Sequence, residues 1–195
     1  LSGCMLALSE VVKASKDIPV VSLVGMPLKV DNMLFNCAVV ISQGLILGIT
    51  PKTYLPNYRE FYELRQFTPG DRALRDSVAI LNQHDVPFGN NLLFKLNSQP
   101  LLTFYVEICE DLWAPIPMSS SAALAGAMVI FNPSASNATI TKDDYLRQLI
   151  SNQSARCLAA YVYTSAGFGE STTDLAWDGQ ALICENGSHL SESKR

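Results

Sequence analysis

The sequence predicts an α/β domain with mixed sheets covered by helices. β-rich runs joined by short turns are mixed along the chain with strand–helix–strand units, and the two kinds of unit together require that architecture. With 195 residues, 48% of them hydrophobic and 16% charged, the chain carries enough apolar side chain to bury a sizeable core, which excludes a disordered polymer. The length suits one domain.

Residues 2 to 17 place Met5, Leu8 and Val12 at helical spacing and end in a Lys/Asp-rich turn before Pro19, so a helix is followed by a strand from Val20 to Gly25. Leu34 to Ser42 and Leu45 to Thr50 are β-rich and meet at Gln43-Gly44, which predicts a hairpin. Pro51 to about Asn91 reads as a long polar and aromatic loop. Leu92 to Leu96 and Leu101 to Ile108 form the next pair of strands around Asn97-Ser-Gln-Pro100, and the second runs directly into Cys109-Glu110-Asp111. Ser119 to Ala127 has a helical pattern and Met128 to Asn132 that of a buried strand. Thr141-Lys-Asp-Asp144 resembles a capping box and opens a helix to about Ala159, followed by a strand from Ala160 to Thr164. A polar, glycine-punctuated loop from Gly167 to Gly179 and a last strand from Gln180 to Cys184 complete the pattern, with no internal repeat.

The net charge is −4 and no Lys/Arg cluster occurs, which argues against nucleic acid or anionic lipid as partner. The longest apolar run, Ala122 to Phe131, falls far short of the roughly 20 residues of a membrane-spanning helix. Charged content lies below the roughly 25% usual for soluble domains, which fits burial against other domains or copies of the chain. The five cysteines, Cys4, Cys37, Cys109, Cys157 and Cys184, are odd in number and widely spaced, and only His84 and His189 accompany them. Neither a disulfide framework nor a zinc site fits, and a reducing cytoplasm is the expected setting. Asn137-Ala-Thr139, Asn152-Gln-Ser154 and Asn186-Gly-Ser188 match a glycosylation pattern that carries little weight without a secretory signal.

Cys109 stands out because it ends a strand and precedes two carboxylates and Trp113, a place where loops carry chemistry. A thiol needs an activating partner, and neither histidine is placed to provide one. Lysine and glutamate can share that work, the carboxylate taking the thiol proton and the ammonium stabilising an oxyanion. Lys52, at the end of a strand and between Pro51 and Thr53-Tyr54-Leu55-Pro56, is the best lysine for it. Gly167-Phe-Gly169 lacks the third glycine of a dinucleotide fingerprint, and no phosphate-binding G-x-x-x-x-G-K-[ST] loop occurs.

Three stretches converge on a family. Pro51-Lys-Thr-Tyr-Leu-Pro-Asn-Tyr-Arg-Glu-Phe-Tyr-Glu63, Val106-Glu-Ile-Cys-Glu-Asp-Leu-Trp113 and Gly169-Glu-Ser-Thr-Thr-Asp-Leu-Ala-Trp-Asp-Gly179 resemble the nitrilase-type carbon–nitrogen hydrolases, and within them the glutaminase domains of glutamine-dependent NAD synthetases. The resemblance covers essentially the whole chain. It implies a nitrilase-like four-layer α-β-β-α sandwich built on two mixed sheets, and a Glu-Lys-Cys catalytic set. Cys109 matches the nucleophile, Lys52 the lysine that stabilises the oxyanion, and Glu63 the additional glutamate near that lysine. Tyr58, Glu110, Trp113, Ser136 and Lys142 match positions that contact bound glutamine. Trp113 stands where some relatives have a smaller aromatic, and Lys142 stands where others have Arg, which is not a conservative exchange at a bidentate carboxylate contact.

The amide-cleaving step implied by the resemblance uses no cofactor or metal, whereas ATP and magnesium belong to a synthetase domain expected elsewhere in a longer chain, absent here together with its Ser-Gly-Gly-x-Asp-Ser loop. Glutamine is the implied substrate and a homo-oligomer the implied assembly. The family also places its general-base glutamate in a Pro-Glu motif on an early strand. Glu10, the one glutamate before Lys52, lies in Ser9-Glu-Val-Val and matches nothing in that motif. Residues 1–195 are therefore expected to be a partial glutaminase domain, incomplete at its N-terminus, with the base upstream of Leu1 and the isolated chain inactive. A stand-alone amidase for another small amide, or an inactive piece that serves oligomer contacts, are the other readings.

Overall fold

Leu8 anchors α1 (Ser2–Ala14), the first element of the computed structural model, which describes residues 1–171 and 175–194 apart from the side chain at position 100. Leu8, with Cys4, Met5 and Val12 beside it, packs into a core made by an antiparallel sheet of β1 (Ser22–Val30), β2 (Met33–Ser42) and β3 (Leu45–Pro51). The strand expected to end at Gly25 continues through Pro27 to Val30. Proline is tolerated there because β1 is an edge strand. Asp31 (φ 48°) and Asn32 (φ 65°) close the β1–β2 turn in the left-handed region, and Gln43 (φ 48°) with Gly44 (φ 79°) close the predicted β2–β3 hairpin.

The stretch expected as one long loop after Pro51 contains a further hairpin, β4 (Ser77–Ile80) with β5 (Gln83–Pro87). Val78, Ile80 and Val86 drop from it into the same core as α1. The Gln83 side-chain amide acts as a substitute rung for β3, its Oε1 accepting the Ile46 N–H at 2.7 Å and its Nε2 donating to the Ile46 carbonyl at 3.1 Å. Ile49 and Phe88 add a single parallel bridge.

These elements form one compact unit, Leu1–Leu92, and the rest of the chain forms a second, Leu93–Arg195. In the second unit β6 (Leu93–Leu96), β7 (Gln99–Val106), β8 (Val129–Ser134), β9 (Ala160–Ser165), β10 (Ala181–Glu185) and β11 (Ser188–Glu192) make a mixed sheet in the order β11-β10-β9-β8-β7-β6. Strands β7, β8 and β9 are parallel, and the outer pairings are antiparallel. Helices α2 (Met118–Leu124) and α3 (Lys142–Cys157) supply the connections between the parallel strands, and Ala122, Leu146 and Ile150 are buried with Ile130, Tyr161 and Leu182 of the sheet.

Two features of this unit differ from expectation. Thr141 sits in the left-handed region (φ 67°) and makes no side-chain cap bond, so the capping box is not formed. The first turn of α3 instead carries Asp143 and Asp144, which suit the positive end of the helix dipole and pair with Arg147 at 3.2 Å and 2.9 Å. Beyond the expected last strand, Asn186 (φ 48°) and Gly187 (φ 84°) turn the chain into β11. A side chain at Gly187 would place its Cβ 2.9 Å from that of Ala155, so glycine is required by the close approach of α3 as well as by the turn.

The parallel arrangement brings three strand ends to one edge. Glu107 to Cys109 follows β7, Ser136 and Asn137 follow β8, and Ala166 and Gly167 follow β9. In open parallel sheets the carboxyl ends of the strands are where ligands bind.

Candidate active site

In the first unit Lys52 leaves β3 at its end and is 1% exposed. Its N–H donates to the Asn36 carbonyl at 2.8 Å and its carbonyl accepts from Gly70 N–H at 2.8 Å, so the backbone on both sides is held. Nζ lies 2.8 Å and 2.9 Å from the two carboxylate oxygens of Glu63, whose side chain is 24% exposed. Glu63 opens a short 3-10 turn and its own N–H donates to the Pro56 carbonyl at 3.0 Å, which fixes the loop that delivers the carboxylate. The Lys52 ammonium is almost wholly withdrawn from water, and its burial is offset by a partner of opposite charge. Tyr58 lies on the same loop, exposed, with its ring edge-on to Phe61 at 6.1 Å. Glu10 is exposed on α1 and pairs with Lys13 at 3.0 Å.

In the second unit Cys109 begins a 3-10 turn, Cys109–Leu112, immediately after the strand edge. Its backbone is left-handed (φ 48°), a conformation that costs a residue with a Cβ roughly 1–2 kcal/mol. Two side chains hold the turn. Asp111 Oδ2 accepts the Ile108 N–H at 2.9 Å, and Asn132 Oδ1 accepts the Cys109 N–H at 3.0 Å while Asn132 Nδ2 reaches the Cys109 carbonyl at 3.4 Å. Tyr163 is buried near the thiol, and its hydroxyl is held protonated by burial first and then by the charges that Cys109 and Asp178 would carry. That hydroxyl faces Ser134 and Ser136 without a hydrogen bond of standard geometry.

Glu110 follows Cys109 and accepts the Trp113 N–H at 2.9 Å through its carbonyl. The Trp113 ring stacks on Tyr145 at 5.5 Å, and Lys142 Nζ stands 5.3 Å from the Trp113 ring centroid while donating to Asn137 Oδ1. Trp113 and Lys142, named separately from the sequence, thus form one cation–aromatic group. Ser136 is buried, its N–H donating to Ser165 Oγ at 3.1 Å and its carbonyl accepting from Asp178 N–H at 2.8 Å. Of the third motif, residues 172–174 lie outside the described residues; Trp177 bridges to Asn137, and Gly179 packs against Gly167, where a Cβ on Gly167 would meet the Gly179 Cα at 2.9 Å.

Sequence reasoning did not single out Asn132 or Tyr161, and it named Asn137 only within a glycosylation pattern. A hint for the first exists in Asn132-Pro-Ser134, a polar residue ending an apolar strand, but its bond to Cys109 spans 23 residues and has no local signature. His84 lies exposed on β5 of the first unit, and His189 on β11 has its Nε2 3.3 Å from Glu192. All five cysteines are free, and burial pushes the Cys37 thiol up. Among the described residues no group of three or more His, Cys, Asp or Glu could hold a metal ion, and no helix is long and apolar enough to cross a membrane.

A thiol on a strained turn at the carboxyl edge of a parallel sheet, in a chain with a buried lysine–glutamate pair, defines a class when the fold is compared with solved ones. The chain has the nitrilase-type α/β fold, matching a branch 10 nitrilase-superfamily protein of Saccharomyces cerevisiae with a TM-score of 0.69 over 96% of this chain and 60% of that one, at 17% identity. A glutamine-dependent NAD(+) synthetase from Cytophaga hutchinsonii matches with a TM-score of 0.82 at 25% identity, over 97% of this chain and 30% of that one. In sequence, the chain is 52% identical over 189 residues to a glutamine-dependent NAD(+) synthetase from Mycobacterium bovis, covering 97% of this chain and 28% of the relative. No protein-family model matches. The chain thus has the nitrilase-type fold and is homologous to a segment of the glutamine-dependent NAD(+) synthetases, of whose length it spans less than a third.

Proposed function

We propose that the chain is the glutamine-cleaving part of a glutamine-dependent NAD synthetase. The observation that carries this reading is the identity of 52% with such a synthetase across almost the entire chain, Cys109 and Lys52 included in the matched span. Cys109 is the nucleophile: its sulfur attacks the side-chain amide carbon of glutamine, the oxygen becomes an oxyanion, and the C–N bond breaks as the nitrogen takes a proton and leaves as ammonia. A glutamyl thioester remains. Water then attacks the thioester, giving glutamate and restoring the thiol.

In this reading Lys52 stabilises the oxyanion and Glu63 holds its ammonium in place, a division that suits the ion pair described above. Tyr58, Glu110, Trp113, Ser136 and Lys142 bind glutamine, with the Lys142 ammonium for its carboxylate. The thiol proton goes to a general base, and Glu10, exposed and paired with Lys13, is unsuited to that task. The base comes from outside residues 1–195, and the isolated chain is inactive. ATP and magnesium serve a synthetase domain of the same polypeptide, where the ammonia amidates the deamido dinucleotide. The protein works in the cytoplasm as a homo-oligomer.

The test compares the two nitrogen sources in the complete polypeptide. Cys109→Ala abolishes NAD synthesis from glutamine and spares synthesis from added ammonia, because only amide cleavage uses the thiol. Equal loss of both activities contradicts this assignment.

A further inference from the structure

Behind Cys109 runs a buried polar chain that the proposed reaction does not use. Asn132 Oδ1 accepts from the Cys109 N–H at 3.0 Å and from Ser134 Oγ at 2.6 Å. Asn132 Nδ2 donates to the Tyr161 hydroxyl oxygen at 3.0 Å, and that hydroxyl donates in turn to Glu107 Oε1. The other carboxylate oxygen, Oε2, accepts the N–H of Ser119 at the start of α2 at 2.8 Å. Glu107 and Tyr161 are 0% exposed and Asn132 is 1% exposed, so no solvent competes for these groups.

The chain has a direction. Asn132 can hold the Cys109 N–H only with its oxygen turned toward Cys109, which leaves its NH₂ to find an acceptor on Tyr161. Tyr161 can serve as that acceptor, and keep its own proton bonded, only if Glu107 accepts. We propose that Glu107 and Tyr161 are positioning residues for Cys109: the carboxylate sets the orientation of the Tyr161 hydroxyl, the hydroxyl sets that of the Asn132 amide, and the amide clasps the left-handed Cys109 backbone so that the thiol is aimed. This inference rests on the assignment of Cys109 as nucleophile.

The environment of Glu107 supports a switchable acceptor. Burial, and after it the charge of Asp111, pushes its carboxyl up to about 7, against the bonds from Tyr161 and Ser119 that favour the ionised form. The groups facing it are Asp111 on the turn after Cys109, Tyr105 on β7, Tyr161 on β9 and Cys157 at the end of α3. A proton on Oε1 would make Glu107 a donor to Tyr161 and reverse the chain.

The experiment measures glutamine cleavage by the complete polypeptide for Tyr161→Phe, Glu107→Gln, the double variant and Cys109→Ala, each checked for folding by its thermal midpoint. The expected result is a fall in kcat on the order of 10–100-fold in each single variant with KM nearly unchanged, as for small misplacement of a reacting group. The double variant loses no more than the worse single one, because both act through one chain. The wild-type fall in kcat as pH drops through about 7 is absent from Glu107→Gln. Unchanged kcat in folded single variants, or additive losses in the double, overturns this inference alone. Ammonia release that survives in Cys109→Ala overturns the nucleophile assignment beneath it. If Glu107→Gln does not fold, Tyr161→Phe, which removes a single oxygen, decides.

Discussion

Lys52 presents its ammonium to both oxygens of Glu63, at 2.8 Å and 2.9 Å, from a side chain that is almost wholly withdrawn from water. A buried ammonium depends on such a partner, since removing one member of a buried pair leaves the other charged and desolvated. Glu63→Gln keeps the shape and one acceptor but loses the charge. A cost of about 1–3 kcal/mol is expected, below that of a fully enclosed pair because Glu63 retains contact with solvent. Urea denaturation measures it, and a change within about 0.5 kcal/mol would mean that the pair contributes little to folding.

Gly70 controls the same lysine through the backbone. A Cβ at this position would lie 2.7 Å from the Pro51 carbonyl oxygen and 3.1 Å from that of Lys52, both rigid backbone atoms. The Gly70 N–H bond to the Lys52 carbonyl would have to lengthen to relieve the contact. Gly70→Ala is therefore expected to cost on the order of 1–3 kcal/mol and to lower glutamine cleavage, by moving the peptide that carries Lys52. Wild-type stability and activity in this variant would show that the loop yields freely.

How far the fold was legible depended on where turns announce themselves. Gln43-Gly44 between two apolar runs predicted its hairpin. The β4–β5 hairpin went unread because Leu81 occupies its left-handed turn position (φ 51°) where Gly or Asn is the usual signal, and only Val78, Ile80 and Val86 reach the core. Asn186-Gly187 is a strong hairpin signal that was read instead as part of a glycosylation pattern, and β11 was missed with it. The first strand, expected to end at Gly25, runs on through Pro27 to Val30 because β1 is an edge strand, and sequence does not tell an edge strand from an inner one. The candidate site divides similarly. Cys109, Lys52, Glu63 and Trp113 lie in long motifs, whereas Asn132 and Tyr161 matter only through bonds made across parallel strands, which leave no periodic trace.

Glu107 gives stability an unusual dependence on pH. Its carboxyl is raised from its ordinary 4.5 to about 7 in the folded chain, so the folded state binds the proton more tightly than the unfolded one. Its contribution is fully present below about 4.5 and lost as pH rises through about 7. The loss is of order 3 kcal/mol. Thermal midpoints are expected to fall between pH 5 and pH 8, and Glu107→Gln to flatten that fall. Glu192, held below the ordinary carboxylate range chiefly by the Arg147 hydrogen bond, acts in the opposite sense at more acidic pH and does not overlap this window. An unchanged slope in Glu107→Gln would assign the dependence to other groups.

Lys142 and Trp113 should act on binding rather than on chemistry. The ammonium lies over the indole and is fixed by Asn137, so it is preorganised for a carboxylate. Lys142→Ala is expected to raise KM for glutamine roughly 10-fold, with a smaller change in kcat. A fall in kcat at constant KM would place Lys142 in the reaction itself.

Cleavage by Cys109 passes through a thioester between its sulfur and the glutamyl group, which mass analysis of peptides from the complete polypeptide, quenched during turnover, detects directly. A glutamyl adduct on the peptide that contains Cys109, absent from Cys109→Ala and lost on treatment with hydroxylamine, is the expected result. Continued ammonia release by Cys109→Ala, or an adduct on any other cysteine, would contradict it.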